Sequence, residues 1–139
     1  MTVTSHHTSQ EIQLELYEPS DNAQAVVTAR RLAAQAGFSA TLQFLIATAV
    51  SELATNIIRY AGRGEITLRV IINDHRTGLE VVALDAGPGI ENIEQAMQEH
   101  FSSGHSLGLG LPSVKRIMDE FTITSTPGQG TMIVARKWR

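Results

Sequence analysis

The apolar residues of this chain change period along its length, and the order of those changes constrains the fold more than any other feature. Residues 11–17 alternate, with Ile12, Leu14 and Leu16 on one side and Gln13 and Glu15 on the other, the pattern of a half-buried strand. Pro19-Ser20-Asp21 then opens a helix with Ser20 as its N-cap, running through Val26, Val27, Ala33 and Ala34 to a stop at Gly37. Ser39 caps a second, longer helix to about Ala61, whose stripe is Leu42, Leu45, Ile46, Ala49, Leu53, Ile57 and Tyr60. Residues 65–72 alternate again, and residues 73–78 form a hairpin-type connection. Residues 79–85 are almost wholly apolar until their last, which predicts a central strand. Pro112 starts a further helix carrying Val114, Ile117, Met118 and Phe121 at i, i+3, i+4 and i+7. Two strands, residues 121–126 and 131–138, close the chain around Pro127-Gly128-Gln129-Gly130. The order β-α-α-β-β-(α)-α-β-β predicts an α+β fold, a mixed and mostly antiparallel sheet with helices on one face.

A chain of 139 residues suits one domain, expected over residues 11–139 behind a flexible tail of residues 1–10. Apolar residues at 42% and charged residues at 18% exclude a disordered chain. A formal charge of −3 and no run of Lys or Arg argue against a nucleic-acid partner. With no cysteine, disulfides, thiolate zinc sites and cysteine nucleophiles are excluded together. No stretch of about 18 apolar residues and no apolar leader occur, so the expectation is a cytoplasmic domain with no membrane span.

Three places break the pattern. Glu52 and Asn56 lie four apart on the second helix, Asn56 inside the apolar stripe and Glu52 at its edge. Such a pair is either satisfied by backbone or water, or it is a hard-cation site with a carboxylate placed to accept a proton. Asp85-Ala86-Gly87-Pro88-Gly89 puts an acid at the end of a buried strand and two glycines directly after it. That is a tight turn with a solvated acid, or an acceptor for a donor such as an exocyclic amine, with Gly87 and Gly89 admitting a flat ligand. The third is Gly104-His105-Ser106-Leu107-Gly108-Leu109-Gly110-Leu111-Pro112, three glycines leading into a helix start, an arrangement that can hold phosphate. It is not a Walker A loop, and it fits the dinucleotide fingerprint poorly. Seven of the eleven glycines lie from Gly87 to Gly130, and residues 86–111 make a long connection with one helical pattern over 91–100. Connections of that length in a compact domain are usually functional loops or lids.

Taken together these residues resemble the GHKL ATPase/kinase superfamily, the Bergerat fold. Glu52-Leu53-Ala54-Thr55-Asn56 resembles its N box, Asp85-Ala86-Gly87-Pro88-Gly89 its G1 box, the segment from Gly104 to Gly110 its G2 box, and Gly128-Gln129-Gly130-Thr131 its late Gly-x-Gly-Thr element. Ser51-Glu52-Leu53-Ala54-Thr55-Asn56-Ile57, Ala61-Gly62-Arg63-Gly64, the stretch from Leu111 to Phe121 and the closing Lys137-Trp138 are similar to the RsbT-type serine/threonine switch kinases of the anti-sigma branch. The resemblance implies a two-layer Bergerat sandwich that binds ATP and Mg2+. It implies that Asn56 ligates the metal, that Glu52 is the general base, and that Asp85 holds the adenine amino group with support from Thr131. Gly87 and Gly89 would admit the base, Gly104, Gly108 and Gly110 would cradle the phosphates, and residues 91–107 would form a lid. His105-Ser106 depart from the more glycine-rich lids of that branch.

The implied activity is phosphorylation of Ser or Thr on a STAS-domain partner, with control of a downstream PP2C-type phosphatase or other regulator. The alternative is an anti-sigma factor that sequesters a sigma subunit. Lys115 with Asp119 and Arg116 with Glu120 read as solvated i,i+4 pairs on an exposed helix face, Trp138 as a packing anchor, and His6 and His7 as tail residues with no third ligand near.

Overall fold

The computed structural model describes residues 7–98 and 110–139. Five strands form one sheet in the order β1-β2-β3-β5-β4: β1 His7–Leu16, β2 Gly64–Asn73, β3 Arg76–Asp85, β4 Glu120–Thr126 and β5 Gly130–Trp138. All four pairings are antiparallel, which carries the expected antiparallel character across the described sheet. Helices α1 (Pro19–Gln35), α2 (Ala40–Asn56), α3 (Ile93–Ala96) and α4 (Leu111–Ile117) accompany it. The first strand begins at His7, so His7, Thr8 and Gln10 of the expected tail pair with β2 instead, with a bulge between Thr8 and Gln10.

The two faces of the sheet differ because alternate residues point opposite ways. Ile12, Leu68, Val81, Ala135 and Phe121 form one row of cross-strand partners, and Leu14, Ile66, Ala83, Ile133 and Ile123 the next. These rows belong to the core and meet Ala25, Ala29, Leu32, Ile46, Val50 and Leu53 from α1 and α2. Across the other face runs Glu11–Arg69–Glu80–Arg136–Glu120, one residue from each strand, each the direct partner of the next. Its four ion pairs measure 2.6, 2.6, 2.8 and 2.9 Å in that order.

Local chemistry places the ends of the elements. Pro19 already has helical backbone, so the cap of α1 falls on Glu18 rather than on the expected Ser20. Asp21 reaches back to accept from the N–H groups of Tyr17 and Glu18 at 2.7 and 3.0 Å. Ser39 caps α2 as expected, its hydroxyl accepting from Leu42 N–H at 3.2 Å. The helix expected to reach Ala61 is α-helical only to Asn56, and Ile57–Ala61 continue it as one π-helical turn. Ala40–Ala61 is long and apolar enough by length and composition alone to cross a membrane. Here it supplies core residues, and Glu52, Asn56 and Arg59 interrupt its apolar surface.

The helix α4 ends at Ile117, so Asp119 and Glu120 lie past it and not on its exposed face as expected. Asp119 instead accepts from the Trp138 backbone N–H at 2.8 Å, and Glu120 from the Trp138 indole N–H at 2.6 Å. Lys137 donates to the Ile117 carbonyl at 2.7 Å, which ties the end of α4 to β5. Trp138 is a packing anchor as read, with the Arg76 guanidinium 4.5 Å from its ring centroid.

Candidate functional site

The rows on the inner face of the sheet turn polar at one end. Beyond Ala83, Ile133 and Ile123 the next row is Asp85, Thr131 and Ser125, again direct cross-strand partners. This polar row meets the end of α2, where Leu53, Asn56, Ile57, Tyr60 and Ala61 share a helical face. Between them lies a cavity of about 310 Å³, within the range of small-molecule sites. The segment from Pro88 to Asn92 walls it on one side and Leu111 on another. Most of its lining is apolar, with Asp85, Thr131 and Asn56 among the polar groups.

Glu52 stands one helical turn before Asn56, outside the cavity wall. Its carboxylate lies against the α-carbon of Gly110, where a Cβ would overlap it. Gly110 has φ 72° and is the N-cap of α4, so a side chain there would be both strained and obstructed. Neither the Glu52 nor the Asn56 side chain has a hydrogen-bond partner among the described residues, although the two stack on one face. Of the reading in which backbone or water satisfies this pair, the backbone part is therefore not found among the described residues.

The segment after Asp85 is held against the β4–β5 turn. Asp85 Oδ1 accepts from Gly87 N–H at 2.9 Å, Gly128 N–H donates to Pro88 O at 2.7 Å, and Ile90 N–H donates to Ser125 Oγ at 2.7 Å. Gly89, with φ 77°, passes so close to the Thr126 carbonyl that no Cβ would fit. Gly87 does not line the cavity. Its missing Cβ lets the chain pass Ala61, whose Cβ would lie 2.5 Å away from one on Gly87.

Of the residues singled out in the sequence, Asn56, Asp85, Gly89 and Thr131 line the cavity, while Glu52 and Gly110 adjoin each other next to it. Gly104, Gly108 and the His105-Ser106 pair lie outside the described residues. Ser125 escaped the sequence reading. Its signal was a hydroxyl at the inward phase of a strand whose other inward residues are Phe121 and Ile123. Ser125 Oγ donates to Gly130 O at 3.1 Å and lies 2.8 Å from Thr131 Oγ1.

A metal here would draw few ligands from the protein. Among the described residues no group of three or more His, Asp or Glu side chains is placed to hold one. An amide oxygen such as that of Asn56 suits Mg2+, which takes one or two protein oxygens and completes its shell with water and phosphate oxygens. The carboxylate and hydroxyl of the polar row could serve the amino edge of a purine, whereas the missing Cβ atoms of Gly87 and Gly89, expected to admit a flat ligand, instead let the chain pass Ala61 and the Thr126 carbonyl.

Residues 17–137 match the family described as histidine kinase-like ATPase domain. The chain is 47% identical over 109 residues, 78% of its own length and 82% of the relative's, to the serine/threonine-protein kinase RsbT of Bacillus subtilis. It is 40% identical over 99 residues to the anti-sigma F factor of Caldanaerobacter subterraneus, covering 67% of this chain and 68% of that one. Its fold is similar to a chain in the SiaB-SiaC complex of Pseudomonas aeruginosa, with a TM-score of 0.56 at 11% identity, over 95% of this chain and 91% of that one.

Proposed function

The chain belongs to the histidine kinase-like ATPase domain family, and from that membership we propose that it is an ATP-dependent protein kinase acting on serine or threonine of STAS-domain proteins. Likeness to a named serine/threonine-protein kinase over most of both chains supports the reaction class. The observation that carries the site assignment is the meeting of the Asp85–Thr131 row with Asn56 across one cavity, with Glu52 a turn away.

Bound Mg-ATP would supply the phosphoryl group and the charge that neutralises it during transfer. Asp85 and Thr131 would hold the amino edge of the base, with Gly89 in the wall beside them. Asn56 would offer its amide oxygen to the metal. Gly110 would border the phosphates, a role the family resemblance also gives to Gly104 and Gly108, which lie outside the described residues. Glu52 would take the proton of the acceptor hydroxyl as that oxygen bonds to the γ-phosphorus and the bond from that phosphorus to the bridging oxygen breaks, its electron pair leaving with ADP. The cytoplasm is the compartment proposed, and a PP2C-type phosphatase or other regulator the downstream target.

The test is transfer of labelled phosphate from Mg-ATP to a cognate STAS-domain protein. Glu52→Gln is expected to keep ATP binding and to lower transfer roughly a hundred- to ten-thousandfold, the usual contribution of a general base. Equal transfer by Glu52→Gln and the unaltered protein would remove Glu52 from that role. The likeness to an anti-sigma F factor favours a second reading, capture of a sigma subunit. Stoichiometric co-purification of a sigma factor, without phosphate transfer to any STAS protein, would select it.

A further inference from the structure

Resting on the nucleotide reading of the cavity, we propose that Ser125 is a positioning residue that makes the base-binding edge acceptor-only and so selects 6-amino purines over 6-oxo purines. Ser125 Oγ has one hydrogen and two lone pairs. Ile90 N–H points at it from 2.7 Å and occupies one lone pair. The Gly130 carbonyl, 3.1 Å away, can only accept, so that contact takes the Ser125 hydrogen. The remaining contact is to Thr131 Oγ1 at 2.8 Å, and its hydrogen must then come from Thr131. Any other assignment leaves two oxygens facing each other with no proton between them.

Thr131 therefore meets the cavity with lone pairs only. Its cross-strand partner Asp85, as a carboxylate, also only accepts. Together they form an edge of acceptors. An exocyclic amine has one hydrogen for each of the two acceptors, whereas a 6-oxo purine offers only its N1–H and leaves its carbonyl oxygen facing an acceptor. Ser125 touches neither the base nor the phosphates in this arrangement. It acts by holding one hydrogen away from the cavity, and the Ile90 contact keeps it from turning.

The experiment compares the affinities of ATP and inosine triphosphate, which differ at the 6 position and at N1, in the full chain. The unaltered protein is expected to favour ATP. Ser125→Ala frees the Thr131 hydroxyl to donate, and the ATP-to-ITP affinity ratio is expected to fall about tenfold, with ITP gaining. Ser125→Cys keeps the volume with a weaker donor and is expected to move the ratio the same way. Ser125→Thr keeps the hydroxyl and is expected to retain the ratio. In a Thr131→Val background Ser125→Ala is expected to leave the ratio where it stands. A purely structural role would lower both affinities together. An unchanged ratio in both Ser125→Ala and Ser125→Cys therefore overturns the proposal. Failure of the unaltered protein to bind either nucleotide overturns the nucleotide reading itself, a result read before any variant is made.

Discussion

Asp85 shows how one side chain acquires a role from its place in a strand. It is the last residue of β3, where the inward apolar rows end, so its carboxylate meets the cavity rather than the core. Replacing it with Asn keeps the shape but turns half of the acceptor edge into a donor. Calorimetry is expected to show ATP affinity falling about ten- to a hundredfold, the range for losing a charge-assisted hydrogen bond. Gly110→Ala tests the opposite face of the site. A Cβ there overlaps the Glu52 carboxylate, and the backbone sits at φ 72°. Phosphate transfer is expected to drop sharply in this variant, while an unchanged rate would show that Glu52 can move aside at no penalty.

At the scale of elements, α4 is a short helix fixed at both ends. Its first turn adjoins Glu52 through Gly110, and its last carbonyl, that of Ile117, is bound to β5 by Lys137. A cation at a helix C-terminus is favourable by sign as well as by hydrogen bonding. Lys137→Met should therefore destabilise the fold by about 1–2 kcal/mol, read as a lower denaturation midpoint. Ser39→Ala is expected to cost about 1 kcal/mol through loss of the α2 cap. The element order was readable from apolar periodicity, and so was the α2 cap, because both are local. The end of α4 was not. Charge spacing suggested Lys115–Asp119 and Arg116–Glu120 pairs, but Asp119 and Glu120 lie past the helix and bond to Trp138. The π-helical turn after Asn56 was equally unreadable, since its residues keep helical spacing in the sequence.

Across the whole molecule, sequence periodicity gives strands but not their neighbours. The insertion of β5 between β3 and β4 is what brings Asp85, Thr131 and Ser125 into one row. Asp85 and Thr131 could be singled out from motifs, whereas Ser125 gains its meaning only from that register. The same holds for the ladder on the other face, whose five charges are scattered from Glu11 to Arg136 in sequence. Glu80 is its centre, with its side chain 9% exposed and bonded to two guanidinium groups. Glu80→Gln is expected to cost about 2–3 kcal/mol, against less than about 1 kcal/mol for the outer Glu11→Gln. Hydrogen bonds to Glu11 and Glu80 hold the Arg69 pKa above its ordinary value. For Arg136, burial works to lower the pKa, but its bonds to Glu120 and Glu80 outweigh it and the pKa is again raised. Stability from a raised pKa is complete below the unfolded value and is lost only as pH rises through the folded one. Deprotonation of these arginines therefore contributes no pH dependence at neutral pH.

The central claim is that the cavity between β3, β5 and the end of α2 holds a magnesium-bound adenine nucleotide. Titration calorimetry with ATP, with and without Mg2+, on the unaltered protein and on Asn56→Ala tests it most directly. The account predicts saturable binding at one site that Mg2+ strengthens, with Asn56→Ala abolishing the metal's effect. Absence of ATP binding to the unaltered protein, or an undiminished Mg2+ effect in Asn56→Ala, would contradict it.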